Sequence, residues 1–235
     1  MKTITYKSNE RGQANFGWLQ SSHTFSFGQY FNPDRVNFGL LRVFNDDIVV
    51  GGAGFPTHPH DNMEIVSIPL KGALAHLDST GTEQVIKADE VQIMSAGSGL
   101  THSEYNASKS DEVNFLQIWV FPKEKDIKPR YDQKYFSPEG RINKIQTVVA
   151  PSDTDALWIN QDAWFSLCDL EASKSVKYVT NKEDHGIFTF VVEGAIEIAS
   201  EYLDKRDAIG VSGKAEIQIT SQANSQLLII EVPMN

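Results

Sequence analysis

The chain contains a single cysteine, Cys168, among 235 residues. One thiol makes no internal disulfide and supplies no cysteine-based zinc site. No apolar run reaches the roughly 18–20 residues of a bilayer-spanning helix. The N-terminal Met1-Lys2-Thr3-Ile4-Thr5-Tyr6-Lys7 lacks the apolar core of a secretory signal. Positive charge is in deficit: 21 Lys+Arg against 31 Asp+Glu leave a net −10. Such a field repels nucleic acid and anionic membrane surfaces, so neither is expected as a partner. Coiled-coil heptads, low-complexity stretches, a phosphate-cradling glycine loop, a dinucleotide fingerprint and a Ser/His/Asp triad are also missing. The expectation left standing is a soluble, cytoplasmic, globular protein.

What is present is short-range alternation. With 40% hydrophobic and 22% charged residues the chain can bury one or two cores. Strands are expected over Phe38–Phe44, Met63–Pro69, Gln84–Ile86, Val91–Met94 and Asn114–Phe121. The second half adds Lys144–Val149, Trp164–Leu170, Ile187–Val192, Ala195–Ile198, Ala215–Ile219 and Gln226–Val232. Turn residues such as Lys71-Gly72, Glu193-Gly194 and Ser212-Gly213 separate them, and no βαβ alternation occurs. The fold class is therefore all-β, a sandwich or barrel. Between Phe121 and Gly140, Pro122, Pro129 and Pro138 lie among charged residues, a composition that reads as a connector. It divides the chain into domains of ordinary size, 1–128 and 129–235. Both halves contain a strand, a glycine turn and a strand (Ile65–Gly72–Ala75 and Ile187–Gly194–Ile198), which suggests a duplicated barrel.

The six histidines carry the chemistry. In Gly52-Ala53-Gly54-Phe55-Pro56-Thr57-His58-Pro59-His60-Asp61-Asn62-Met63-Glu64, His58 and His60 are two apart. On a strand, such side chains share a face with Cα atoms roughly 6.5–7 Å apart. Two imidazoles so placed can meet one ion at about 2.0–2.2 Å. Pro59 has no N–H, so this strand is an edge, a bulge or irregular. Gly97-Ser98-Gly99-Leu100-Thr101-His102-Ser103-Glu104 repeats the device with one imidazole and one carboxylate. Pairing the two segments brings three histidines and a glutamate together, and a metal supplies the reason to bury them. An isolated H-x-H would read as a solvated doublet; the second patch and the flanking glycines shift the reading to metal. Glu64 shares parity with His58 and His60, so it competes with Glu104 as the carboxylate. Nitrogen and carboxylate donors without thiolate suit Fe(II), Cu(II), Ni(II), Mn(II), Co(II) or Zn(II).

Gly52-x5-His58-x-His60-x3-Glu64, followed by Gly72, resembles the first signature of the cupin superfamily, and Gly99-x2-His102-x3-Asn106 resembles the end of the second. His58-Pro59-His60 and Met94-Ser95-Ala96-Gly97-Ser98-Gly99-Leu100-Thr101-His102-Ser103-Glu104 are similar to pirin and its bacterial relatives. Trp18-Leu19-Gln20-Ser21-Ser22-His23-Thr24-Phe25-Ser26-Phe27 resembles the entry segment of the bacterial pirin-like quercetinases. The resemblance covers most of residues 10–135 and weakens beyond residue 140. It departs from the general cupin pattern at Val91 and Gly97, where a Gly and a Pro are usual.

This resemblance implies two cupin (jelly-roll) β-barrels in tandem, with one divalent metal in the N-terminal barrel. Its ligands would be His58, His60, His102 and Glu104, with Glu64 outside the set. The implied metal is Fe(II); Cu, Ni, Co, Mn and Zn fit the same donors. The C-terminal barrel offers only His185, in Asp184-His185-Gly186, and is expected to bind none. The implied activity is quercetin 2,3-dioxygenase, with a flavonol and dioxygen as partners and carbon monoxide released on ring opening. Glu104 would both ligate the metal and accept the flavonol proton. Two other classes remain: a redox-sensing regulatory or binding protein of the pirin type, and a structural zinc protein. An enzyme needs a pocket beside His58 and Glu104, whereas a structural site is closed.

Other residues receive plainer readings. Phe16, Trp18, Phe25, Phe27, Tyr30 and Phe31 could stack a planar polyphenol, but aromatics on a segment covering a barrel are more often core. Phe115, Gln117 and Trp119 alternate on one strand face and share that ambiguity. His23 and His76 read as hydrogen-bonded structural histidines, Asp61, Asn62, Ser103 and Asn106 as turn residues. Cys168 reads as a buried apolar residue.

Overall fold

The structure, a computed structural model, describes residues 1–235. Apart from the two 3-10 turns Ser8–Glu10 and Pro138–Gly140, its regular elements are strands. No helix is long and apolar enough to cross a membrane.

Each half of the chain forms a seven-stranded sheet over a four-stranded one. In the first barrel the larger sheet runs Arg130–Tyr135, Glu90–Ser95, Glu64–Lys71, Val113–Val120, Leu41–Val49, Leu19–His23, Gly12–Asn15. Its smaller partner runs Gly54–His60, Leu100–Asn106, Ala73–Asp78, Glu83–Lys87. In the second barrel the larger sheet runs Lys2–Tyr6, Ala208–Ser212, His185–Glu193, Ser225–Pro233, Trp164–Leu170, Gln146–Ala150, Leu157–Trp158. The smaller runs Ser175–Val179, Glu216–Ser221, Ala195–Ile198, Glu201–Asp204. The two orders correspond place for place, as in a duplicated jelly roll, and the all-β bicupin architecture is established. Trp164–Leu170 and Ala195–Ile198 are strands over the whole stretches expected from alternation.

Strand pairing does not follow a division at residues 128/129. Lys2–Tyr6 pairs with Ala208–Ser212 in the second barrel's sheet, and Arg130–Tyr135 pairs with Glu90–Ser95 in the first. Part of the proline-rich stretch expected to be a connector is thus an edge strand. Pro129 stands just before it, where a missing N–H costs no ladder bond. Each barrel closes its large sheet with a strand from the other side of the break.

The central strands of the large sheets are buried on both faces. Between them lies a shared cluster of 26 buried residues, including Phe44, Val66, Ile118, Phe165, Phe190 and Ile230. Strand alternation sends Val66 and Ile68 into this core and turns Ser67, between them, into the first barrel. Phe188 sits centrally, with its ring centroid 5.1–6.0 Å from those of Tyr6, Phe25, Phe38 and Phe44. The interior of the second barrel is apolar as well: Tyr178, Ile196, Ile217, Ile219 and ten further buried residues fill it. Cys168 lies among them, its thiol pushed up to about 11 by burial.

Truncating Phe188 to alanine removes a large ring from a core that both halves share and is expected to cost roughly 3–5 kcal/mol. Chemical denaturation should show that loss in one cooperative transition. Two separate transitions in the wild-type protein would contradict a shared core.

Candidate metal centre

Antiparallel pairing of Gly54–His60 with Leu100–Asn106 sets His102 directly opposite His58 and Leu100 opposite His60. A bulge between His102 and Glu104 gives the first strand an extra residue near Pro56, whose carbonyl lies 2.8 Å from His58 Nδ1. Because a carbonyl only accepts, His58 Nδ1 is protonated and Nε2 is the free donor atom. The turn feeding the second strand depends on Gly97, whose φ of +50° and proximity to the Ile127 carbonyl exclude a Cβ. On the other side, Ala73–Asp78 sets Asp78 opposite His102 and His76 opposite Glu104. Six chemically active side chains thereby share one face of the small sheet.

The ring centroids of His58, His60 and His102 are 4.5–4.9 Å apart. Their donor atoms lie within 4.8 Å of one another, and a second group within the same limit consists of His76, His102 and Glu104. The three expected histidines are therefore together, and Glu104 adjoins them through His102. Burial holds the His60 imidazole at about 4 and that of His102 at about 2, with the neighbouring histidines adding to both shifts. Both are neutral at pH 7, the form that ligates a metal. His102 is buried, and neither ring nitrogen has a partner in the chain. An unpaired buried polar atom costs about 1–3 kcal/mol. A cation bound by this nitrogen and carboxylate set relieves that cost, so the residues present fit a divalent metal of the borderline class.

Glu104 is held from the large sheet: Gln117 Nε2 donates to Oε2 at 2.8 Å and Ser67 Oγ to Oε1 at 3.3 Å. Burial pushes its carboxyl up to about 7 against these two hydrogen bonds. Beside it opens a cavity of about 850 Å³ that reaches His58, His60 and Glu104. Phe16, Trp18, Phe27, Tyr30, Phe55 and Trp119 give it aromatic walls. Trp119 stands edge-on to His60 with centroids 4.9 Å apart.

The sequence matches the family model for Pirin over residues 5–120 and that for the Quercetinase C-terminal cupin domain over residues 147–232. The quercetin 2,3-dioxygenase of Escherichia coli is 38% identical over 232 residues, 97% of each chain. The chain belongs to the pirin family. A pirin-like protein of Caulobacter vibrioides is 36% identical, with 94% of this chain and 95% of that one aligned. The crystal structure of the bacterial pirin YhhW from Escherichia coli, in complex with nickel(II), superposes with a TM-score of 0.93. It is 36% identical, with 99% of both chains covered.

Several side chains of this pirin differ from their plain sequence readings, and others match. Glu64 lies beyond the turn at Asn62, on the large sheet, where Ser95 Oγ (2.8 Å) and the Asn160 N–H (3.1 Å) donate to Oε2. It points toward the second barrel, not toward the histidines. Asn62 is a turn residue, but Ser103 and Asn106 are not: both lie in the strand Leu100–Asn106, and Asn106 Nδ2 donates to the carbonyls of Val49 and Asp111. His76 Nε2 meets Asp78 Oδ2 at 3.0 Å, yet Nδ1 is unpartnered and belongs to the cluster around His102. His185 Nδ1 lies 2.9 Å from Glu231 Oε1, and that buried carboxylate also accepts from Tyr178 Oη and the Asn181 and Lys182 N–H groups. Of the N-terminal aromatics, Phe25 is core, Phe31 is exposed, and Phe16, Trp18, Phe27 and Tyr30 line the cavity. Gln117 and Trp119 line the cavity while Phe115 is core, and Ser67 escapes a sequence reading, although a polar residue within an otherwise apolar strand is the signal that would flag it.

Burial raises the Glu64 carboxyl to about 7 against its hydrogen bonds to Asn160 and Ser95. A folded-state value above the unfolded one (about 4.3) means the native state binds the extra proton between them. Stability therefore falls as pH rises from about 4 to about 7 on this account, and the loss persists above. Glu64→Gln should gain stability relative to wild type at pH 8 compared with pH 5, with metal stoichiometry unchanged. Paired denaturation curves and elemental analysis check both; a variant that loses metal would return Glu64 to the ligand set.

Proposed function

We propose that this pirin is a metal-dependent dioxygenase that opens the heterocyclic ring of a flavonol such as quercetin, with dioxygen as co-substrate and release of carbon monoxide. The observation that carries the reading is the aromatic-walled cavity of about 850 Å³ beside His58, His60 and Glu104. A site that only holds structural zinc needs no such volume. The relative named quercetin 2,3-dioxygenase, aligned along almost its whole length, supports the same chemistry.

His58, His60, His102 and Glu104 would hold the ion, which we propose to be Fe(II); the nickel(II) bound by the bacterial relative belongs to the same borderline class. When bound, such a metal supplies Lewis acidity that favours the deprotonated flavonol 3-oxygen. The chain's own contribution is positional and protonic. Glu104 is the acceptor for the 3-hydroxyl proton, and burial makes it a stronger base than a solvated carboxylate. Gln117 and Ser67 fix the plane of that carboxylate across the barrel. Trp18 and Phe55, 5.2 Å apart edge to face, and Trp119 with Phe27, 5.4 Å apart, exclude water and offer faces for a planar ligand.

Elemental analysis joined to an anaerobic-then-aerobic quercetin assay tests the reading. The expected outcome is one divalent metal per chain and flavonol absorbance that is stable without oxygen, then lost on its admission. Metal without oxygen-dependent loss would move the protein to the regulatory class. Glu104→Gln should lower turnover by about 10²–10⁴ while retaining metal; undiminished turnover would remove Glu104 from the proton step.

A further inference from the structure

A polar row crosses the floor of the first barrel over five strands. His23 pairs in register with Asn45, Asn45 with Gln117, Gln117 with Ser67, and Ser67 with Gln92. Directly opposed residues of paired strands lie on one face of a sheet. Since Gln117 and Ser67 reach Glu104, the whole row faces the barrel interior. Two residues beyond Asn45 on the same face stands Asp47, paired with Ser21, whose hydroxyl donates to Asp47 Oδ1.

This end of the floor is buried but unsatisfied. His23, Asn45, Asp47 and Ser21 are each at most 5% exposed. His23 Nδ1 and Asn45 Oδ1 have no partner in the chain. Asp47 Oδ2 likewise takes no hydrogen bond from it. All four residues line the cavity that also reaches His58 and Glu104. Buried donors and acceptors aimed into a ligand cavity call for a ligand that carries hydroxyl groups there. His23 lies two strands from Gln117, about 10 Å at the usual inter-strand spacing. That separation exceeds a single phenol and suits a polycyclic one spanning the cavity from Glu104.

We infer that Asp47, Asn45 and His23 form a recognition pole for the hydroxyl groups on the pendant ring of the flavonol, remote from the reacting ring. The inference rests on the flavonol reading above and adds what selects among flavonols. Asp47 accepts from a ring hydroxyl, Ser21 holds the carboxylate in place, and the Asn45 amide and His23 imidazole serve a second, adjacent hydroxyl. A bare pendant ring would leave these groups buried and unpaired, which is the arrangement that discriminates most strongly against a missing hydroxyl.

The experiment is anaerobic titration of the metal-loaded protein with three flavonols bearing none, one or two hydroxyls on the pendant ring, followed by absorbance. Wild type is expected to bind the dihydroxylated ligand at least about tenfold more tightly than the bare one. Asp47→Asn and, separately, Asn45→Ala should narrow that ratio to within about threefold. Equal binding of all three flavonols by wild type overturns the pole, and so does an unchanged ratio in both variants. The wild-type comparison decides the matter even if neither variant folds. Failure of wild type to bind any flavonol is a different result: it overturns the functional reading and the pole with it.

Discussion

The central strands of the two large sheets must satisfy two interiors at once. One face packs against the other half of the chain, the opposite face lines its own barrel, and a period of two residues is all that separates them. Glu64–Lys71 illustrates the constraint: Val66 and Ile68 enter the shared core while Ser67 reaches Glu104. A slip of one residue would put a hydroxyl into that core and a valine beside the carboxylate. The same alternation places Ile118 in the core and Gln117 at Glu104. The candidate site is thus fixed by packing far from it, and the shared core sets the register that aims the polar side chains.

The duplication sets an open barrel interior beside a filled one. Ser175–Val179 and Glu216–Ser221 occupy the places of the histidine-bearing strands, and Tyr178, Ile217 and Ile219 there fill the space with apolar volume. The carboxylate that remains, Glu231, is consumed by Tyr178, Asn181, Lys182 and His185. Its hydrogen bonds tie down the Asn181–Lys182 loop. In the first barrel a volume stays open, and both ring nitrogens of His102, His23 Nδ1, His76 Nδ1 and the Asn45 and Gln92 amide oxygens lack partners in the chain. Unsatisfied polar atoms in one barrel and a filled core in the other, on matching strand orders, distinguish the two halves.

Much of this was legible from residues alone. Alternation identified an all-β chain. The two-residue spacings His58–His60 and His102–Glu104 implied shared faces, because parity within one strand is a local property. Parity failed for Glu64 because it was counted across a turn: one strand ends at His60, Asn62 turns the chain with φ of 44°, and Glu64 begins the next strand in a different sheet. The proline-rich stretch misled in the same way, since pairing with Glu90–Ser95 makes a strand of Arg130–Tyr135 that its own composition does not demand.

The sequence by itself determined the chemistry on offer: three clustered histidines, a carboxylate at matching parity, and pirin motifs around them. Only the tertiary structure decided which side chains meet. It brought Gln117 and Ser67 to Glu104, set His76 beside His102, turned Glu64 away and gathered Asp47, Asn45 and His23 at one end of the cavity. The physical reason is that facing within a strand follows from its own dihedral period, while register between strands is set by cores and turns remote in the chain.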